Sequence, residues 1–139
     1  GLGDVYKRQI LIYDAARPRY VQQIMWDSVQ MPLTEKVKFL SNPRFGSLHN
    51  YGAAVDVTIA REGIPLDMGT PYDFNGPLAH PTKEKMYLKA GELDTLQVKN
   101  RQLLRQVMRT AGFFNIQTEW WHFNSCYRNE AKQKYQLIN

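Results

Sequence analysis

Residues 47–59 read SLHNYGAAVDVTI, and the change of rhythm inside this stretch decides the kind of fold. Val55, Val57 and Ile59 alternate with Ala54, Asp56 and Thr58, the period of two expected of a β-strand with one face on a core and the other turned elsewhere. Asp56 falls on that other face. His49 precedes the alternation and is separated from it by Gly52, a residue able to bend the chain. An offset of seven sets two residues on opposite faces of a straight strand, so His49 and Asp56 converge only if the chain turns between them.

Upstream, residues 10–18 (ILIYDAARP) form an apolar run ending at Arg17-Pro18, which reads as a buried strand entering a turn. Pro18 suits the first turn of a helix. Val21, Ile24, Met25, Ser28 and Val29 then recur at helical spacing, with Gln22, Gln23 and Asp27 on the opposite side, and the helix should stop before Pro32. Residues 32–46 hold a polar helix-like piece and a Ser-Asn-Pro turn. Downstream, residues 61–97 show little periodicity: a hairpin or turn at REGIPLDMG, then a long excursion of the kind that is usually functional or mobile. Residues 98–113 (VKNRQLLRQVMRTAGF) place Leu103, Leu104, Val107, Met108 and Ala111 on one stripe, with Gly112 as a C-terminal cap. Residues 113–123 (FFNIQTEWWHF) follow as an aromatic-rich strand. This succession indicates an α+β fold, with helices packed on a mainly antiparallel sheet.

The chain has 139 residues and is 43% hydrophobic, enough for one domain with a core. Lys and Arg number 18 against 13 Asp and Glu, giving a net charge of +5 and a pI near 9.4. The basic residues are scattered, through Lys36, Lys38, Lys83, Lys85, Arg101, Arg105, Arg109, Lys132 and Lys134. They form neither a compact run nor the aromatic-interleaved pattern of a nucleic-acid reader, so they read mostly as solvated faces and nucleic acid is not the expected partner. A single cysteine, Cys126, excludes an intrachain disulfide framework and a multi-cysteine zinc site. No apolar run approaches the ~18 residues of a transmembrane helix. Residues 1–9 (GLGDVYKRQ) carry no initiator methionine and no apolar signal region, and resemble the translation of a sequencing-adapter end. The expectation is a single domain over residues 10–139 that lacks its native N-terminal part.

Four residues invite a chemical reading: His49, Asp56, Glu119 and His122. A catalytic zinc site takes three protein ligands from His and carboxylate, keeps the fourth position for water, and needs a nearby carboxylate to accept that water's proton. Two histidines and an aspartate meet the first need and Glu119 the second. Glu119 and His122, three apart, require a strand end or bulge to face one point. Each residue also has an ordinary reading: a hydrogen-bonded structural histidine, or an aspartate capping a turn. Trp120 and Trp121 fit a core or a pocket wall. Spacing alone leaves both readings open.

The motifs narrow the choice. SLHNYGAAVDVTI follows the pattern Ser-x-His-x-x-Gly-x-Ala-x-Asp, and TEWWHF the pattern Glu-x-Trp-His. YDAARP follows Tyr/Trp-Asp-x-x-Arg-Pro, and MGTPYDF follows Met-Gly-x-x-Phe/Tyr-Asp-Phe. In this order, across most of residues 10–125, they resemble the zinc D-alanyl-D-alanine dipeptidases of metallopeptidase family M15, the vancomycin-resistance type. The resemblance implies one Zn²⁺ per chain held by His49, Asp56 and His122, with Glu119 as general base and Arg17 stabilising the oxyanion of the tetrahedral intermediate. It also implies a small dipeptide substrate, D-Ala-D-Ala, contacted by Ser47 and Asp73, two residues that read equally well as turn chemistry. His80 and Cys126 match no site position.

Related zinc D,D-carboxypeptidases and endopeptidases of peptidoglycan stem peptides share the ligand pattern and are the alternative. A non-catalytic zinc-binding domain or a basic nucleic-acid-binding domain is a remoter one. The resemblance leaves the location open between the periplasm, towards which YVQQIMWD leans, and the cytoplasm, and it implies no oligomeric state.

Overall fold

A computed structural model describes residues 7–139. The first six residues of the adapter-like stretch lie outside the described residues. In chain order the elements are β1 (Arg8–Asp14), α1 (Arg19–Ser28), α2 (Leu33–Phe39), β2 (Ala54–Arg61), β3 (Ile64–Pro65), α3 (Glu84–Ala90), α4 (Thr95–Thr110), β4 (Phe114–Asn115), β5 (His122–Asn124) and α5 (Arg128–Lys134). The sheet order is β1-β2-β5-β4, with β3 paired to β2. The fold is the expected α+β arrangement of helices with a mainly antiparallel sheet. By contacts the chain forms two compact units: one joins the chain up to Tyr13 with Asp56–Phe123, the other joins Asp14–Val55 with Asn124–Asn139.

In the first unit, β2 lies between β1 and β5. From Ala54 to Ala60 every residue except Val55 is buried, so the face expected to be turned elsewhere is covered as well. Asp56 and Thr58 are therefore buried polar groups, a costly placement that calls for partners. β2 leaves the sheet through Glu62 and Gly63, both at positive φ, the backbone of a tight two-residue hairpin turn. The turn sets Ala60 opposite Pro65 and Arg61 opposite Ile64. β1 is not the buried strand expected from its apolar run: Ile12 is 61% exposed and Ile10 41%. An apolar run reads the same in a central strand and in an edge strand, and β1 is at the end of the sheet order.

Two further expectations change. The hairpin expected at the start of residues 61–97 is present as β2–β3, but the rest is not a plain excursion, since it holds two short 3₁₀ turns and α3. Residues 113–123 are not one strand: β4 and β5 are separated by a turn carrying Glu119, Trp120 and Trp121. The side chain of Asn115 closes that turn, its Nδ2 donating to the carbonyls of Glu119 at 2.9 Å and His122 at 2.8 Å.

α4 stops before Gly112 as expected but starts at Thr95, ahead of the expected Val98, because its start is specified by a capping pair. Asp94 Oδ1 accepts the Gln97 N–H at 2.7 Å and Gln97 Oε1 accepts the Asp94 N–H at 2.9 Å, satisfying amides the helix leaves unpaired. Gly112, at φ 90°, ends it. The buried face is Val98, Arg101, Leu104 and Met108, while Val107 is 41% exposed. The stripe is thus rotated from the expected one, and Arg101 occupies a core position rather than a solvated face. Its Nε donates to the Met68 carbonyl at 2.6 Å and Nη2 to the Leu78 carbonyl at 3.0 Å. Glu84 lies 3.5 Å from Arg101 Nη1 and takes a two-pronged pair from Arg105 at 2.9 and 2.6 Å. Burial holds the Arg101 pKa below its usual value, against the opposing pull of Glu84.

The second unit contains α1, α2, the 3₁₀ turn Leu48–Tyr51 and α5. Cys126 packs with Ala53, Ala131, Leu48 and Tyr51, the small core role its position suggests. On α1 the buried residue is Gln22, with Ile24 59% exposed. Gln22 and Ile24 thus exchange their expected sides, while Gln23 and Asp27 are exposed as expected; the reason for Gln22 is chemical, since its carboxamide donates to the Ser41 carbonyl at 2.8 Å and accepts from Arg17 at 2.6 Å. No helix among the described residues is long and apolar enough to cross a membrane.

Candidate metal centre

His49 sits in the 3₁₀ turn Leu48–Tyr51, which ends at Gly52 in the left-handed region at φ 65°. That φ is readily available to glycine and strained for most other residues. The bend predicted between His49 and Asp56 is therefore present, and β2 starts two residues later. His49 is 3% exposed. Its Nδ1 is 2.7 Å from the Ala15 carbonyl, which selects the tautomer with a proton on Nδ1 and leaves Nε2 with its lone pair.

Asp56 and His122 meet directly. Asp56 Oδ1 is 3.0 Å from His122 Nδ1, and Asp56 Oδ2 accepts the Tyr72 hydroxyl at 3.0 Å. Glu119 Oε2 lies 3.7 Å from the same His122 nitrogen, with a side chain 29% exposed against 12% for His122. Glu119 and His122 share a side because the chain turns between them. Trp120 and Trp121, each 2% exposed, anchor that turn. The Trp120 indole N–H donates to Thr70 Oγ1 at 2.7 Å, the Trp121 carbonyl accepts the Val57 N–H at 2.9 Å, and the two rings stand edge to face with centroids 5.3 Å apart.

Among the described residues, His49, Asp56 and His122 are the group of His, Cys, Asp and Glu side chains suited to a metal ion. Each offers one ligand atom, and these atoms all lie within 4.8 Å of one another.

Arg17 is held from three directions. Its Nε donates to Asp14 Oδ2 at 2.9 Å, with Nη2 on the same oxygen, and Nη1 donates to Gln22 Oε1 at 2.6 Å. Its backbone N–H donates to the His49 carbonyl at 2.9 Å, and its own carbonyl accepts from Asn50 Nδ2 at 2.7 Å. Ser47 immediately precedes the 3₁₀ turn with its side chain buried, and it caps that turn reciprocally with Asn50, whose Oδ1 accepts the Ser47 N–H at 2.7 Å. Asp73 is exposed and adopts φ 63°, a conformation that Asp tolerates better than most residues.

Four supporting residues escaped the sequence reading. Asp14 and Tyr72 lie inside the YDAARP and MGTPYDF motifs, which was their only signal. Gln22 was assigned to the outer side of its helix, and Asn115 gave no signal at all.

The fold is α+β, and its His-Asp-His group is a donor set that could hold a metal ion, with Glu119 beside His122. A family model described as D-Ala-D-Ala dipeptidase, of peptidase family M15, matches residues 4–138, and the chain belongs to this family. It is 33% identical over 116 residues, 83% of the chain, to a D-alanyl-D-alanine dipeptidase of Escherichia coli strain K12, and covers 54% of that protein. It is 29% identical to the D-alanyl-D-alanine dipeptidase of Synechocystis, matching over 84% of the chain and 59% of the relative. It is 25% identical to that of Enterococcus faecalis, over 82% and 60% respectively. The chain thus spans between 54% and 60% of the length of these relatives.

Proposed function

We propose that this chain is the catalytic part of a zinc dipeptidase that hydrolyses D-Ala-D-Ala, with His49, Asp56 and His122 holding one Zn²⁺. The observation that carries this reading is the convergence of two imidazoles and one carboxylate, each offering a ligand atom. The donor set suits zinc: nitrogen and oxygen ligands at about 2.0–2.2 Å in a tetrahedron lie roughly 3.3 Å from each other, close to the 3.0 Å between His122 Nδ1 and Asp56 Oδ1. The Ala15 carbonyl on His49 Nδ1 is the kind of outer partner that fixes a ligating imidazole. When bound, zinc supplies Lewis acidity, lowering the pKa of a coordinated water and polarising the scissile carbonyl.

The remaining steps belong to this chain's side chains. Glu119 accepts the proton of the attacking water and delivers it to the leaving amine nitrogen as the C–N bond breaks. Its partial exposure, greater than that of the proposed ligands, suits a group that exchanges protons. Arg17 donates from its guanidinium to the oxygen that becomes negative in the tetrahedral intermediate. Asp14 and Gln22 fix that guanidinium before substrate arrives, so its orientation costs little when the charge develops. Ser47, a buried residue capping the turn that carries His49, hydrogen-bonds the substrate, and Asp73 pairs with its free ammonium. Small dipeptides rather than stem peptides are the substrates on this reading, which draws on the family and on the names of the relatives.

Release of D-alanine from D-Ala-D-Ala and from its N-acetylated form tests it. Cleavage of the free dipeptide alone is expected, and efficient cleavage of the N-acetylated form would move the chain to the carboxypeptidase alternative.

A further inference from the structure

We infer that Tyr72 is a positioning residue of the metal centre, its hydroxyl orienting the Asp56 carboxylate for a cation. The inference rests on the reading of Asp56 as a ligand. Asp56 is 4% exposed, so water contributes little to fixing its carboxylate, and protein donors must do so. Tyr72 donates to Oδ2 at 3.0 Å while Oδ1 faces His122 Nδ1 at 3.0 Å. The two oxygens of one carboxylate are thereby given different neighbours, and rotation of the group breaks the Tyr72 contact.

The donor is itself held on a rigid ring. Tyr72 stacks on Tyr13 with centroids 4.3 Å apart and planes 16° apart, and meets Trp121 edge-on at 5.6 Å and 78°. These are favourable aromatic geometries, and they tie the hydroxyl to β1 and to the residue that precedes His122. A neutral donor also has an advantage over a cationic one in this position. An Arg or Lys on Oδ2 would repel an incoming metal ion through a low-dielectric interior, whereas a phenol leaves the carboxylate's full charge to the metal. Partners of this outer kind typically change metal affinity about 10–100-fold when removed.

Tyr72→Phe removes the hydroxyl and keeps the ring. Zinc affinity by competition with a chromophoric chelator at neutral pH, and the melting temperature without metal, are measured for the wild-type chain, Tyr72→Phe and Asp56→Asn. The expected result is zinc binding about tenfold weaker in Tyr72→Phe, a metal-free melting temperature close to that of the wild type, and loss of tight binding in Asp56→Asn. Unchanged affinity in Tyr72→Phe beside lost binding in Asp56→Asn overturns the role of Tyr72 and spares the ligand assignment. Unchanged binding in Asp56→Asn overturns the ligand assignment and the inference with it. A fall in metal-free stability large enough to account for the weaker binding also overturns the inference, because the hydroxyl would then serve the fold and not the metal.

Discussion

The backbone N–H of Arg17 donates to the carbonyl of His49 at 2.9 Å, joining the proposed oxyanion-stabilising residue to a proposed metal ligand 32 positions away in sequence. Asn50 reinforces the link by donating to the Arg17 carbonyl. Both bonds meet Arg17 at its backbone, so substitution of the Arg17 side chain leaves them in place. Arg17→Lys should bind zinc as the wild type does but lose about 10²–10³-fold in kcat, the usual effect of removing one oxyanion donor, because Lys lacks the planar fork that meets Asp14 and Gln22 together. Metal content and steady-state kinetics on the same preparation check this.

Gln22 is 0% exposed and bridges Ser41 and Arg17. Gln22→Leu preserves volume but strands the Ser41 carbonyl and one guanidinium N–H. A loss of about 1–3 kcal/mol, the desolvation cost of an unsatisfied buried group, is expected in urea unfolding. A change within error would mean that water replaces the carboxamide.

The Glu84 carboxylate neutralises Arg101 inside the first unit. Removing it by Glu84→Leu leaves a buried guanidinium uncompensated, and breaking such a pair from one side typically costs about 3–5 kcal/mol. Replacing Arg101 and Glu84 together by Met and Leu should recover much of that loss. A double variant no more stable than Glu84→Leu would show that the carbonyls of Met68 and Leu78 are what require Arg101.

Asp67 accepts Gln97 Nε2 at 3.0 Å and the Gly69 N–H at 2.9 Å. These bonds, Gln97 foremost, hold its pKa below the ordinary carboxylate value. With the folded-state pKa depressed, the contribution is full above the unfolded value of about 3.9 and disappears as pH falls through the folded one. Asp67→Asn should therefore lower stability at neutral pH and lose that deficit below about pH 4. A deficit that persists in acid would assign the effect to packing.

How much of this was readable in the sequence follows from how local each signal was. Gly52 and the Asp56 alternation lie within a few residues of each other, so the bend and the strand were legible, as was the C-terminal end of α4 at Gly112; its start was not, because the polar pair Asp94 and Gln97 that caps it adds nothing to the hydrophobic period. Gln22 and Arg101 were placed on the wrong side because an amphipathic pattern assigns polar residues outward. Only their partners, Ser41 for one and Glu84, Met68 and Leu78 for the other, make burial favourable. The turn that brings Glu119 and His122 together depends on the Asn115 side chain reaching two carbonyls, which no hydrophobic period encodes. β1 shows the converse: its apolar run carried the strand but not its place at the sheet edge.

In the proposed mechanism Glu119 moves protons at a metal site it does not ligate. Glu119→Ala, compared with the wild-type chain for bound zinc and for D-Ala-D-Ala turnover, tests it most directly. Unchanged zinc content is expected, with kcat reduced by about 10²–10⁴-fold, the usual contribution of general acid–base catalysis. Turnover undiminished in the variant, or loss of zinc together with turnover, would contradict it.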